Sequence, residues 1–76
     1  MPYISIKAYN KDEKTKRQVV DKINDLFVEL WGCSKEAITI SIEEYAPGEW
    51  EEKVFNGEIL PNADKMMILS GEKKYW

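Results

Sequence analysis

Residues 2–9, PYISIKAY, decide how the fold begins, because apolar and polar side chains alternate along them. One face carries Ile4, Ile6 and Ala8, and the other carries Tyr3, Ser5, Lys7 and Tyr9. This period of two is typical of a β-strand with one apolar face. A proline at the first position of a strand removes no ladder hydrogen bond, so Pro2 fits this place on structural grounds alone.

The following stretch changes to a helical period. Apolar residues recur three and four positions apart at Val19, Val20, Ile23, Leu26, Phe27, Leu30 and Trp31. Asn10 or Asp12 can cap the start, and Gly32 is a typical residue for the C-terminal end. The sequence therefore predicts one amphipathic helix over residues 12–31.

A second alternating stretch, residues 36–45, places Ile38, Ile40 and Ile42 on one face of another strand. A strand, a long helix and a strand form a β-α-β unit with parallel strands and a right-handed crossover. The predicted fold class is α+β, in a single domain over residues 1–76. Because a two-stranded sheet leaves its edges exposed, pairing with a second copy would extend it to four strands.

Beyond residue 45 the pattern is less regular. We expect a turn at Pro47 and Gly48, a short helical turn ended by Gly57, and a short C-terminal helix within residues 60–69 that starts near Pro61.

Composition excludes several classes of protein. A chain of 76 residues with one cysteine cannot form an intrachain disulfide, and without histidine or a cysteine pair at zinc spacing no structural metal site is expected, so oligomerisation is the expected source of extra buried area. The net charge of −3 comes without a clustered basic face, which argues against nucleic acid as a partner. No apolar run is long enough to span a membrane and MPYISIK does not resemble a signal peptide, so a cytoplasmic protein is expected.

The usual catalytic groups are also missing. Without histidine there is no imidazole base, and Cys33 would follow the C-terminal end of the helix, where the dipole disfavours a thiolate. Glu49, Glu51 and Glu52 lack the spacing of a calcium loop and are more typical of a solvated turn. The remaining candidate base is the secondary amine that Pro2 would carry after removal of Met1. An apolar pocket or a nearby cation would favour its neutral form.

The order of these features resembles the 4-oxalocrotonate tautomerase family. The resemblance rests on the N-terminal proline opening a strand, the amphipathic helix that starts with DE, the second strand, and the turn EYAPGEW at residues 44–50. The end of the chain, with Trp50 and the stretch EILP at residues 58–61, is similar to a dimeric branch of that family that has phenylpyruvate-type enol tautomerase activity.

The resemblance implies a mechanism and a set of residues. Pro2 would be the general base and acid of a cofactor-independent keto–enol tautomerase, and Trp50 would be the apolar wall that keeps its amine neutral. Lys11 matches best the family arginine that holds the substrate carboxylate. Thr39 stands where a second family arginine lies on the second strand, and this departure favours monocarboxylate substrates such as phenylenolpyruvate. Lys11 as a solvated charge and Trp50 as ordinary core are the structural alternatives.

The resemblance also implies an assembly. Typical members are trimers of dimers, whereas the dimeric branch covers the hexamer surface with its C-terminal segment. Because this chain has such a segment, a homodimer with a four-stranded sheet is favoured over a hexamer. The aromatic pair Tyr75 and Trp76 suggests that the tail docks, for example on a partner subunit.

Two other functions remain compatible with the residues. One is hydration or dehalogenation of a small unsaturated acid. The lone arginine, Arg17, lies on the solvated helix face and is poorly placed to bind and polarise such a substrate. The other is a non-catalytic dimeric binding module, which a retained Met1 would favour, because acylation removes the basic amine.

Overall fold

The computed structural model describes residues 1–75, and the chain forms two compact units. The first unit, Met1–Tyr45, contains strand β1 (Tyr3–Tyr9), helix α1 (Glu13–Leu26) and strand β2 (Thr39–Tyr45). A short 3-10 helix, Lys35–Ala37, precedes β2. The predicted order of strand, helix and strand is confirmed, and the protein is α+β.

The two strands pair in parallel, as the β-α-β pattern predicts. The register runs from Tyr3 opposite Thr39 to Tyr9 opposite Tyr45. The isoleucines therefore meet across the strands on the helix side, with Ile4 opposite Ile40 and Ile6 opposite Ile42. In the same register Glu44 lies opposite Ala8.

Helix α1 starts at an Asp12 cap. The Asp12 carboxylate accepts the backbone N–H of Thr15 at 3.0 Å and the Thr15 hydroxyl at 2.8 Å. These bonds satisfy donors that the first helical turn leaves unpaired. They also lower the pKa of the Asp12 carboxyl, because they stabilise its charged form. Of the two candidate caps, Asp12 is therefore the one used.

The far end of the helix widens before it stops. Phe27–Trp31 continues α1 as a π-helical segment, and Gly32 ends it with φ of 81°, a left-handed conformation that suits glycine. The backbone N–H and the thiol of Cys33 both donate to the carbonyl of Phe27, at 3.3 and 3.2 Å. The predicted helical span is thus confirmed, and Cys33 closes its C-terminal turn.

The first unit does not bury a side chain completely. Val54, which belongs to the second unit and is 2% exposed, is the sole buried residue among residues 1–75. Leu30 and Trp31 at the end of the helical segment are 82% and 70% exposed. One copy of the first unit thus leaves much of its apolar surface in contact with solvent.

The second unit begins at Ala46, and its helical segments differ from those predicted. Pro47–Glu49 is a helical turn (α2) instead of a simple reversal, because Pro47 starts it and the Glu49 carboxylate accepts the N–H of Ala46 at 3.0 Å. The π-helical segment Trp50–Ile59 follows and runs past Gly57. A Cβ at Gly57 would lie 3.1 Å from the carbonyl oxygen of Glu52, so close approach accounts for this glycine.

The C-terminal helix is shorter than predicted. The 3-10 helix Leu60–Lys65 ends where Met66 becomes extended, and Ile68–Leu69 (β3) then pairs antiparallel with Glu72–Lys73 (β4). The turn residues Ser70 and Gly71 both have positive φ, as a type I′ hairpin requires. Residues 68–73, for which no strand was predicted, thus form a hairpin. Tyr75 is 45% exposed, and Trp76 lies outside the described residues.

Among the described residues, none of the helices combines the length and apolar composition needed to cross a lipid bilayer.

Candidate active site

Pro2 lies at the N-terminal end of the parallel sheet, where Thr39 holds it. The backbone N–H of Thr39 donates to the carbonyl of Pro2 at 3.1 Å, and the ladder between β1 and β2 starts at the next residue. Pro2 is half-buried, whereas Met1 before it is 95% exposed. Removal of Met1 therefore requires no unfolding, and it would leave a secondary amine at a fixed position.

Hydroxyl groups surround the start of the sheet on its outer face. Hydrogen bonds to Ser41, and then to Ser5, lower the pKa of the Tyr3 phenol by stabilising its anion. Thr39, opposite Tyr3, presents an exposed side chain on this same face. The outer face near Pro2 thus carries hydroxyl groups at Tyr3, Ser5, Thr39 and Ser41, and it has no arginine at position 39.

Lys11 lies at the opposite end of β1. Its backbone N–H donates to Oε2 of Glu44 at 2.8 Å, and Glu44 stands near the C-terminal end of β2. Seven strand residues separate Pro2 from the loop that holds Lys11. At the rise of an extended strand this is about 20 Å, beyond the reach of a four-carbon side chain. One copy of the chain therefore does not bring Pro2 and Lys11 together.

Glu44 connects three segments of the first unit. Its Oε2 also lies 3.3 Å from Nζ of Lys16 on helix α1, and Lys16 pairs in addition with Glu13 at 2.8 Å. The bond from Lys11, followed by that from Lys16, lowers the pKa of Glu44. The two carboxylates raise the pKa of Lys16, chiefly through Glu13. The Lys16 ammonium is thus compensated by two acids, whereas the Lys11 ammonium makes no ion pair within residues 1–75.

A small apolar cavity adjoins Lys11 between the helix and the sheet. Its volume is about 140 Å³, and Ile6, Val19 and Ile42 form part of its wall. A larger depression of about 300 Å³ lies nearby, and it is bordered by two cations and two acids: Lys16, Arg17, Glu13 and Asp21. Because those charges balance, the depression has no preference for an anion. Lys11 beside an apolar cavity is better suited to a carboxylate with a hydrophobic substituent.

Trp50 belongs to the second unit, where it opens the π-helical segment Trp50–Ile59. It is half-buried and follows the turn that Pro47 and Glu49 stabilise. The four predicted site residues thus divide into a pair at one end of the sheet, Pro2 and Thr39, with Lys11 at the other end and Trp50 in the second unit.

Glu44 is the residue whose role the sequence reasoning did not assign. A signal for it exists, because Glu44 continues the row formed by Ile40 and Ile42 at a spacing of two. An acid on the apolar face of a strand has to be paired if it is partly desolvated. As for metal, residues 1–75 hold no group of three or more side chains suited to a metal ion.

Comparison with known proteins supplies the family. A family model described as "Tautomerase enzyme" matches residues 2–54, which is more than half of the chain. The chain belongs to the tautomerase family. The sequence prediction is thereby confirmed at the level of the superfamily, and the protein is a tautomerase, an enzyme of the isomerase class.

Curated relatives carry the same activity in their names. The Tautomerase PptA of Cronobacter sakazakii is 24% identical over 68 residues, which cover 87% of this chain and 90% of the relative. The Tautomerase PptA of Pectobacterium atrosepticum is 25% identical over the same shares. The similarity thus extends through both units of this tautomerase, beyond the residues matched by the family model.

Proposed function

We propose that this tautomerase interconverts the enol and keto forms of small 2-oxo carboxylic acids such as phenylenolpyruvate, with the amine of Pro2 as base and acid. The observation that carries the proposal is the position of Pro2. It is the first residue of the family match, it is half-buried at the head of the sheet, and Thr39 fixes its carbonyl.

The proton transfer balances within one substrate molecule. The neutral amine of Pro2 takes the proton of the enol hydroxyl as the C–O bond becomes a carbonyl. The resulting ammonium then returns a proton to the adjacent carbon, where the new C–H bond replaces the C=C bond. A model α-amino group titrates near pH 8, so a modest depression by apolar surroundings brings it to the working pH. Trp50 is the proposed apolar wall, as the family resemblance implies.

Lys11 is the proposed partner of the substrate carboxylate. Its ammonium makes no ion pair within residues 1–75, whereas Lys16 nearby is compensated by Glu13 and Glu44. The apolar cavity beside Lys11 supports a substrate whose carboxylate carries a hydrophobic group. Lysine lacks the two-pronged geometry of arginine, so it attracts the carboxylate without fixing its plane.

In this proposal a second copy of the chain brings a Lys11 close to Pro2. When two sheets pair edge to edge about a two-fold axis, their strands run antiparallel across the junction. The Pro2 end of one sheet then lies beside the Lys11 end of the other. The exposure of Leu30 and Trp31 and the open sheet edges support such an association. We therefore propose a homodimer with a four-stranded sheet, in which each site takes Pro2 from one copy and Lys11 from the other.

Thr39 gives the proposed site its preference for one carboxylate. It stands where the family resemblance puts a second arginine, and within the first unit it adjoins Pro2 through the backbone bond. A hydroxyl side chain cannot balance a second carboxylate. Monocarboxylate enols, of which phenylenolpyruvate is the example, are therefore the proposed substrates.

The test is ketonisation of phenylenolpyruvate, followed by ultraviolet absorbance, with protein whose mass establishes that Met1 has been removed. The expected result is turnover well above the rate in buffer. The matched control carries an uncleaved N-terminal extension, which keeps the Pro2 nitrogen as an amide. It should be slower by roughly 10²–10⁴-fold, the usual contribution of a general base. Equal rates for the two proteins would refute the role of the Pro2 amine.

A further inference from the structure

We infer that Glu44 is a positioning residue of this tautomerase, because its carboxylate holds the loop that presents Lys11 to the carboxylate of the substrate. The inference rests on the proposed function of Lys11 and adds a residue that no resemblance assigns.

The first step is the contact itself. Oε2 of Glu44 accepts the backbone N–H of Lys11 at 2.8 Å, across 33 residues of sequence. This bond leaves the Lys11 side chain untouched, so the acid fixes the main chain without neutralising the ammonium. A charged acceptor makes the bond shorter and stronger than a neutral one would.

The second step is that the loop is held on both sides of Lys11. Its backbone N–H is bound to Glu44, and the next residue, Asp12, caps helix α1 by accepting from Thr15 at 3.0 Å. The loop therefore cannot pivot at Lys11 without breaking one of the two bonds. Only the bonds of the Lys11 side chain can still rotate. This freedom lets its ammonium, a compact point charge, adjust to the position of a bound carboxylate.

The third step concerns Lys16, which keeps Glu44 in place. Its ammonium is 3.3 Å from the same Oε2, and the Lys16 side chain is only 19% exposed. The Glu44 side chain itself is 31% exposed. A partly desolvated carboxylate with a cation on one side and an N–H on the other has little freedom to turn away. Glu44 thus transmits the position of helix α1 and of strand β2 to Lys11.

The experiment compares Glu44→Ala with Glu13→Ala. Both changes remove one acid from Lys16, but only the first releases the Lys11 backbone. Glu44→Ala should raise KM for phenylenolpyruvate about tenfold with kcat little changed, because a charge aimed at the carboxylate is lost from its place. Glu13→Ala should leave both parameters near those of the original chain. Glu44→Gln should have a KM close to that of the original chain, since its amide oxygen can still accept the backbone N–H of Lys11.

A double-mutant cycle separates positioning from a general structural effect. If Glu44 acts through Lys11, the pair Glu44→Ala with Lys11→Ala should have the same KM as Lys11→Ala alone. Additive effects of the two changes would overturn the inference. So would an equal rise in KM for Glu13→Ala, or an unchanged KM for Glu44→Ala in protein that is folded by circular dichroism.

Binding of 3-phenylpropionate, a carboxylate that cannot tautomerise, distinguishes failure of this inference from failure of the proposed function. Its dissociation constant should rise about tenfold in both Lys11→Ala and Glu44→Ala, whether or not the enzyme turns over phenylenolpyruvate. If the enzyme turns over phenylenolpyruvate and the dissociation constant rises in Lys11→Ala but not in Glu44→Ala, the proposed reaction stands and the role of Glu44 is refuted. Weakened binding without turnover would support Glu44 and refute the choice of reaction. Unchanged binding in Lys11→Ala would refute both Lys11 and Glu44 as carboxylate-holding groups.

Discussion

Pro2 and Lys11 stand at opposite ends of strand β1, with the seven residues Tyr3–Tyr9 between them. Each is fixed there by a backbone hydrogen bond, Pro2 through Thr39 and Lys11 through Glu44. A base and a carboxylate-binding cation that are this far apart cannot serve one small substrate within a single copy. This relationship makes the proposed reaction dependent on assembly.

The first prediction concerns the base. Pro2→Ala should lower kcat for phenylenolpyruvate by roughly 10²–10⁴-fold, because it replaces a ring-held secondary amine by a mobile primary one. Folding should be unaffected, since the Thr39 bond uses only the backbone carbonyl of residue 2. The measurement is ketonisation by Met1-free protein, with thermal unfolding alongside. Pro61→Ala is the control and should keep full activity; a Pro2→Ala enzyme of normal rate would contradict the mechanism.

The second prediction concerns the shared site. Lys11→Ala should raise KM, and Pro2→Ala should retain only the low kcat given above. When the two variants are unfolded together and refolded, each mixed dimer should contain one site with both native residues. Activity with the KM of the original chain should therefore reappear in the mixture. Separately refolded samples combined without exchange are the control, and a mixture that never regains the native KM would show that each copy works alone.

The third prediction concerns substrate choice at Thr39. Thr39→Arg should lower KM for a dicarboxylate dienol several-fold relative to phenylenolpyruvate, because it adds a cation beside Pro2 that can bind the second carboxylate. Ser41→Arg is the matched control, since Ser41 lies two residues farther along the same strand and face. Steady-state kinetics on both substrates give the ratio. If the ratio of the two KM values changes equally in Thr39→Arg and Ser41→Arg, the added charge and not its position is responsible, and the prediction is contradicted.

The fourth prediction is a loss of stability in acid. Hydrogen bonds place the folded-state pKa of Asp12 and Glu44 below the ordinary values of 3.8 and 4.5. Their contribution is therefore complete above those values, and it is lost as the pH falls through the lowered pKa values. The midpoint temperature of unfolding should therefore decrease once the pH is lower than about 4.5. Asp12→Asn, which keeps a cap without a titrating group, should flatten part of this slope.

The raised pKa of Lys16 acts at the other end of the pH scale. Its contribution is present below the ordinary lysine value of 10.5 and is lost only as the pH rises through the raised value. It therefore cannot account for a change in acid. If Asp12→Asn and Glu44→Gln together leave the fall of the thermal midpoint in acid unaltered, the attribution of that fall to Asp12 and Glu44 is contradicted.

The sequence predicted the first unit well because its elements have clear periods. The alternation around Ile4 and Ile40 and the helical spacing up to Trp31 leave little choice of fold, and Gly32 marks the end of the helix. The second unit was predicted less well. The segment Trp50–Ile59 is π-helical, a geometry that no simple residue period identifies, and it passes through Gly57 where a stop was expected.

Short-range turn chemistry accounts for the missed hairpin. Strands β3 and β4 have two residues each, too few for an alternating pattern to be recognised. The signal was the pair Ser70 and Gly71, which suits a two-residue turn with positive φ. For the site, the family resemblance led to Pro2, Lys11, Thr39 and Trp50, and the strand predicted over residues 2–9 already separates the first two. That Thr39 lies beside Pro2 depends on the register of β1 and β2, which only the structure supplies.

The shared carboxylate of Glu44 has a consequence for how this chain can change over generations. If Lys16 is lost first, Glu13 and Glu44 both lose the cation that they share, and the carboxylate that holds the Lys11 loop is no longer compensated by Lys16. If Glu44 is lost first, Lys16 still has Glu13, and a later change at Lys16 meets less resistance. Lys16 is therefore replaced at lower cost after Glu44 has changed than before it.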